Sequence, residues 1–296
     1  MVAADDADPA LRANALEGLA LVPRRSEPII ARALRDPNEG VRAVAAMVVG
    51  RAGLTTVSGS LRPLLEDRSP YVRASAIFGM AKTVGGADPS PLAAMLLSDP
   101  SPRIRSHAVF ILGDLGDPSA LPMIRESVRL TIPRASESES KLFQLQAAEA
   151  MVKLGDADRL EVILAALFAA TQDDLQIAAL AAQILGGLGY KSVINDLKNL
   201  AGEIDNSGRT MPPEIRMAAA GALAELTRTG DRVDVGFIAD EYRAAESPLV
   251  RMQAAFVYGQ NRGPNDLVKL DAMLSDQSGL VRVSAAAAIL KFAPDR

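Results

Sequence analysis

The chain has no cysteine, no tryptophan and a single histidine, His107, among its 296 residues. Disulfides, thiolate nucleophiles and cysteine metal sites are therefore excluded, and His107 has no second imidazole with which to share a metal ion. Aromatics are scarce, with 7 Phe and 4 Tyr. Any core must then be aliphatic and lined with alanine, which favours closely packed helices over a β-sandwich. Charge of neither sign dominates: 32 basic against 36 acidic side chains leave a net charge of −4. Residues 1–150 hold 17 of each sign and the remainder hold 15 basic against 19 acidic. Neither part has the basic excess that phosphate-backbone binding needs, so nucleic acid is not an expected partner.

Long hydrophobic runs are missing as well. No window approaches the roughly 18 uninterrupted apolar residues of a membrane span, and the acidic start MVAADDADPALR has no apolar leader segment. Cytoplasm and an exported location both fit these absences. There is no glycine-rich phosphate loop, no Gly-x-Ser-x-Gly and no Ser/His/Asp order, and GGLG at 186–189 follows a helical pattern rather than a strand. No catalytic residue, metal ligand or cofactor is assigned.

What the sequence does contain is a repeat. The stretches DDADPALRANA, DPNEGVRAVAA, DRSPYVRASAI, DPSPRIRSHAV and DQSGLVRVSAA share an Asp six residues before an Arg: Asp6/Arg12, Asp36/Arg42, Asp67/Arg73, Asp99/Arg105 and Asp276/Arg282. Arg216 and Arg251 mark two copies without that Asp, and Gln146 and Gln176 mark two in which glutamine stands for the Arg. The nine anchors are separated by 30, 31, 32, 41, 30, 40, 35 and 31 residues. A period in this range signals a solenoid or propeller. From Arg105, the residues Ala108, Val109 and Leu112 form the stripe of a helix, and glycines such as Gly53, Gly116 and Gly263 fall where helices should end. A second amphipathic segment precedes each later anchor, with Ser26 and Ser119 as expected N-caps.

This pattern resembles the HEAT-repeat superfamily, in particular its short phycobilisome-lyase-type repeats of roughly thirty residues. The resemblance covers essentially all of the chain. It implies an all-α superhelical solenoid of about nine helical hairpins, in one domain spanning 1–296, and a recurring Asp–Arg ladder linking the turns of adjacent repeats. On that reading Asp6, Arg12, Asp36, Arg42, Asp67, Arg73, Asp99, Arg105, Asp276 and Arg282 are structural. The ladder should break at Gln146, Gln176, Arg216 and Arg251, and Arg73→Ala should cost more than Arg216→Ala. The superfamily is mostly scaffolds, so a monomeric, non-catalytic, protein-binding role is expected. A bilin or chromophore lyase is the alternative that the resemblance implies.

One column points toward a partner. The fifth position after each anchor reads Met47, Phe78, Phe110, Met151, Ala181, Gly221, Phe256 and Ala287. Four residues further on lie Arg51, Lys82, Asp114, Glu225, Gln260 and Lys291. Stacked repeats would line this apolar–polar border along the concave face, where such proteins bind. The expected contact residues are Met47, Arg51, Phe78, Lys82, Phe110, Asp114, Met151, Phe256 and Gln260, with His107 as a surface or groove side chain. The competing reading places the phenylalanines in the helix–helix core. The long spacings carry TIPRASESES (131–140) and GEIDNSGRTMPP (202–213), expected as loops on one edge. The first helix, with Leu11, Leu16, Leu19 and Leu21, lacks a preceding amphipathic partner, so the chain is expected to derive from a longer precursor.

Overall fold

The computed structural model describes residues 2–133, 135–168, 174–204, 208 and 211–292. All nine anchors sit in helices: α1 (Pro9–Leu19), α3 (Glu39–Arg51), α4 (Pro70–Thr83), α6 (Pro102–Leu115), α8 (Glu137–Lys153), α10 (Leu175–Gly187), α12 (Pro213–Leu226), α14 (Pro248–Asn261) and α16 (Gly279–Leu290). Between them lie α2 (Pro23–Ala33), a 3-10 stretch at Thr55–Glu66, α5 (Ser90–Ser98), α7 (Leu121–Ser127), α9 (Leu160–Ala166), α11 (Ile194–Ala201), α13 (Gly236–Tyr242) and α15 (Asp266–Met273). Among the described residues the regular structure is helical, as the 3.6-residue period implies, and the architecture is the all-α helical-hairpin solenoid.

The chain divides into two compact units, Met1–Ile163 and Leu164–Arg296. In the first, α1, α3, α4, α6 and α8 pack each on the next, and in the second α10, α12, α14 and α16 do the same. Small residues permit the close approach. A Cβ at Gly113 would lie 2.8 Å from the backbone of Ala150, and one at Gly259 would lie 2.7 Å from the Ala288 side chain. Alanine and glycine therefore let anchor helices meet almost backbone to backbone, which is why the core needs few aromatics.

Local chemistry fixes the helix ends. Asp8 caps α1 by accepting from the Ala10 amide at 2.8 Å, and Asn38 caps α3 by accepting from Gly40 and Val41. Proline opens α4, α6, α12 and α14, where its missing N–H costs nothing. Several expectations need correction. Ser26 is not an N-cap: α2 starts at Pro23, and the buried Ser26 hydroxyl donates back to the Leu19 and Val22 carbonyls. Ser119 is not one either, because Asp117 caps that turn through the Ser119 amide. Gly263 does not take the left-handed conformation, which Arg262 adopts instead at φ 50°. Part of the 131–140 stretch is helix, since Ser136 and Glu139 form a reciprocal capping box that starts α8. Arg134 and residues 205–207 and 209–210 of the two stretches lie outside the described residues. The 3-10 turn Val2–Asp5 packs against α1.

Candidate interaction surface

The repeated turn comes first, because it orients everything after it. Each ladder Asp carboxylate accepts the backbone N–H two residues on: Asp36 from Asn38, Asp67 from Ser69, Asp99 from Ser101 and Asp276 from Ser278. The Arg six residues later donates to the carbonyl of that Asp, as Arg42 does to Asp36 at 2.8 Å and Arg73 to Asp67 at 2.7 Å. In three of them, Asp36, Asp67 and Asp276, the carboxylate itself belongs to the Arg of the preceding repeat. Arg12 grips Asp36 through Nε and Nη2 at 2.9 and 2.8 Å, Arg42 grips Asp67, and Arg251 grips Asp276. These are bidentate, charge-assisted pairs. Burial works against the Asp36 and Asp67 carboxylates, yet their arginines hold both below the ordinary range.

This geometry corrects the expected pattern of breaks. Arg216 and Arg251 are not gaps: Arg216 meets Glu241 and Arg251 meets Asp276, each 25 residues further on. Other breaks fall at Arg73, Arg105 and Arg282. Arg73 reaches only the carbonyls of Asp67 and Arg68, and Asp99 is not its ion-pair partner. Buried Arg105 donates Nε to the Asp99 carbonyl, while its Nη1 has no partner. Arg282 reaches only the Asp276 and Gln277 carbonyls.

The partner column separates by depth. Met47, Phe78 and Met151 are buried, so their expected place on a binding surface is corrected: they are core. Phe78 lies on Gly50, where a Cβ would come within 2.7 Å of its ring. His107 is partly buried between α4 and α6, not open to a groove. Its Nε2 lies 3.1 Å from the Ser75 hydroxyl and its ring is tilted against Tyr71 at 5.4 Å. Burial lowers its pKa to about 4, against a hydrogen bond to the Tyr71 backbone that works the other way.

Two phenylalanines of this column stay nearer the surface, one in each unit; Phe168 and Phe237, outside the column, are exposed as well. Phe110 is partly buried between two cations, with the Arg51 guanidinium 5.7 Å and the Lys153 ammonium 5.5 Å from its ring centre. Acids hold both cations in place: Glu17 pairs with Arg51 at 3.1 Å, and Asp114 and Glu149 pair with Lys153 at 2.8 and 2.6 Å. Burial opposes the Lys153 charge, and those two carboxylates raise its pKa above the ordinary value nonetheless. In the second unit Phe256 is 43 % exposed. It rests on Gly221 of α12, where a Cβ would come 3.1 Å from the ring, with the Lys291 ammonium 4.7 Å from its ring centre. Burial lowers the Lys291 pKa. Each is a flat aromatic surface ringed by charge, a composition that recurs in protein interfaces. Gln260 is partly buried on the same helix.

Glu17, Glu149 and Lys153 were not singled out from the sequence. Their signal is weak, because they lie on different repeats and converge only when helices stack. Also unforeseen is a buried polar knot in the second unit. The buried Tyr258 donates to Asp240 at 2.7 Å, Lys269 pairs with Asp240, and Asn261 donates to Asp234 and Asp266. No group of three or more His, Cys, Asp or Glu among the described residues is placed to hold a metal ion, and no helix there is long and apolar enough to cross a membrane.

The family model for HEAT repeats matches residues 2–81, 58–133 and 89–180. Among solved structures, the complex of CpcE and CpcF of phycocyanin lyase from Nostoc sp. PCC7120 is 19 % identical, with 81 % of this chain and 92 % of that one covered and a TM-score of 0.46. Human deoxyhypusine hydroxylase is 18 % identical over 92 % of this chain and 97 % of that one, with a TM-score of 0.43. A designed armadillo repeat protein is 13 % identical over 90 % and 99 %, with a TM-score of 0.33. No curated protein sequence matches the chain.

Proposed function

Since the chain belongs to the HEAT-repeat family, we propose that it is a non-catalytic scaffold that binds a protein partner over the faces centred on Phe110 and Phe256. The observation that carries this reading is the exposed Phe256 ring, seated on a glycine and covered on one side by a cation. An aromatic left exposed on an anchor helix gives little to the core. It gives a partner a rigid anchor, and aromatic anchors ringed by polar groups dominate binding energy in interfaces. Phe110 repeats the arrangement with two cations in place of one. The acids around those cations set the orientation and electrostatic register of what docks there.

Affinity capture from the native source, read by mass spectrometry, tests this reading. The wild-type chain should retain a partner that Phe110→Ser and Phe256→Ser lose while both variants remain folded. Identical captures by all three chains would overturn it. So would a covalently attached visible chromophore after incubation with a bilin, which would make the protein a lyase.

A further inference from the structure

We propose that the first unit also carries a pocket for a small amphipathic carboxylate, received by Lys82. A cavity of about 390 Å³ opens between the C-terminal halves of α4 and α6 and the first turns of α5 and of the helical segment that leads into α7. That volume lies in the range of small-molecule sites. Its walls are apolar: Ile77 from α4, Leu112 and Leu115 from α6, and Met123 from α7. The connection that frames it is unusual among its neighbours. Six residues separate α4 from α5, with Gly85 and Gly86 both left-handed at φ 70° and 72°, where only two residues separate α6 from the next helical turn. A side chain is disfavoured at both glycines, so the wide connection is specified by the sequence.

Two charged groups of opposite sign line the cavity, and they differ in how they are engaged. The Asp117 carboxylate is committed to the Ser119 amide at 2.9 Å and is held below its ordinary pKa by that turn. Lys82 has no carboxylate within ion-pair distance among the described residues, and its ammonium lies 5.8 Å from the Phe78 ring centre. The other cations of this face are neutralised, Arg51 by Glu17 and Lys153 by Asp114 and Glu149. A largely apolar pocket with one ammonium that no carboxylate pairs with complements, at its Lys82 end, a ligand with an apolar body and one negative charge. The pocket does not involve Phe110 or Phe256, so it stands whether or not a protein docks there.

Calorimetric titration of the full chain with sodium octanoate tests the proposal, with octylammonium and butyrate as the arms that change charge and body separately. Octanoate should bind saturably at one site. Butyrate and octylammonium should bind far more weakly. Lys82→Met, which keeps the stem and removes the charge, should weaken octanoate about fivefold, the share of one exposed charge contact. Ala93→Leu, which fills the cavity, should abolish binding. The proposal is overturned if octanoate does not saturate, if octylammonium binds as tightly, or if Lys82→Met leaves the affinity unchanged.

Discussion

Arg216 donates to the Glu241 carboxylate from both terminal nitrogens, at 2.6 and 3.2 Å, across a separation of 25 residues. The same guanidinium also reaches the Tyr242 hydroxyl at 2.6 Å and the Ala201 carbonyl at 3.1 Å. Burial opposes its charge, yet Glu241 and Tyr242 raise its pKa above the ordinary value. Arg73, at the equivalent position, meets only two carbonyls. The order expected from Asp–Arg spacing is therefore reversed. Arg216→Ala should cost about 2–3 kcal/mol, because it strands acceptors beside a buried site, and Arg73→Ala should cost about 1 kcal/mol. Urea unfolding of the two variants checks the ranking, and a larger loss for Arg73→Ala would contradict it.

Leu130 occupies the place of a ladder acid. The backbone N–H of Leu130 bonds to the carbonyl three residues back, as those of Asp36, Asp67 and Asp276 do. It lies 25 residues after Arg105, the spacing that joins Arg42 to Asp67 and Arg251 to Asp276. The side chain is 38 % exposed, so an acid there remains hydrated while it reaches the guanidinium. Leu130→Asp should gain about 1 kcal/mol and raise the melting temperature by about 2–4 °C. The gain should vanish in an Arg105→Ala background. If the gain persists there, the new acid acts on something other than the ladder.

Phenylalanines of the fifth column sit at different depths. Phe78 packs over Gly50 and is 2 % exposed, whereas Phe256 rests on Gly221 at the rim and stays 43 % exposed. Phe78→Ser should destabilise by about 3–5 kcal/mol, as large truncations in cores do. Phe256→Ser should cost under about 1 kcal/mol. Thermal melts of both variants distinguish core from surface before any partner is known. Equal losses would place Phe256 in the core and remove it from the binding face.

The repeat register was legible because it is local. An Arg, an aliphatic stripe and a glycine recur within one helix, and all nine anchors fall on helices. The direction of the ladder was not legible from the same motif. Each Asp has an Arg six residues ahead and another about 25 behind, and spacing within a copy draws attention to the nearer one. Only the fold shows that the carboxylate turns back to the preceding repeat. The capping box of α8 was visible as Ser136-x-x-Glu139 but was hidden by reading that stretch as an insertion. Depth along the fifth column was not legible either. Phe78 and Phe256 both lie over a glycine of the preceding helix, yet one is core and the other surface, and no periodicity within one repeat carries that difference.

His107 makes stability depend on pH in a window of its own. The ring sits between α4 and α6 with Ser75 at its Nε2, Tyr71 against its face, and the Arg51 charge near enough to disfavour protonation. Burial is the larger cause, and together they lower the pKa from 6.5 to about 4. The folded state thus keeps the imidazole neutral where the unfolded chain has begun to bind a proton. Its contribution is complete above pH 6.5, is lost as pH falls from there toward about 4, and changes no further below that. The loss should be about 2 kcal/mol once the solvent-facing part of the ring is allowed for. The ladder carboxylates Asp36, Asp67 and Asp276 lie below their ordinary 3.8, so their contribution is lost only at still lower pH. Urea unfolding at about pH 7, 5.5 and 4.5 should show the decline in the wild-type chain and a flatter profile in His107→Gln. A decline of the same size in both chains would assign the acid sensitivity to the carboxylates instead.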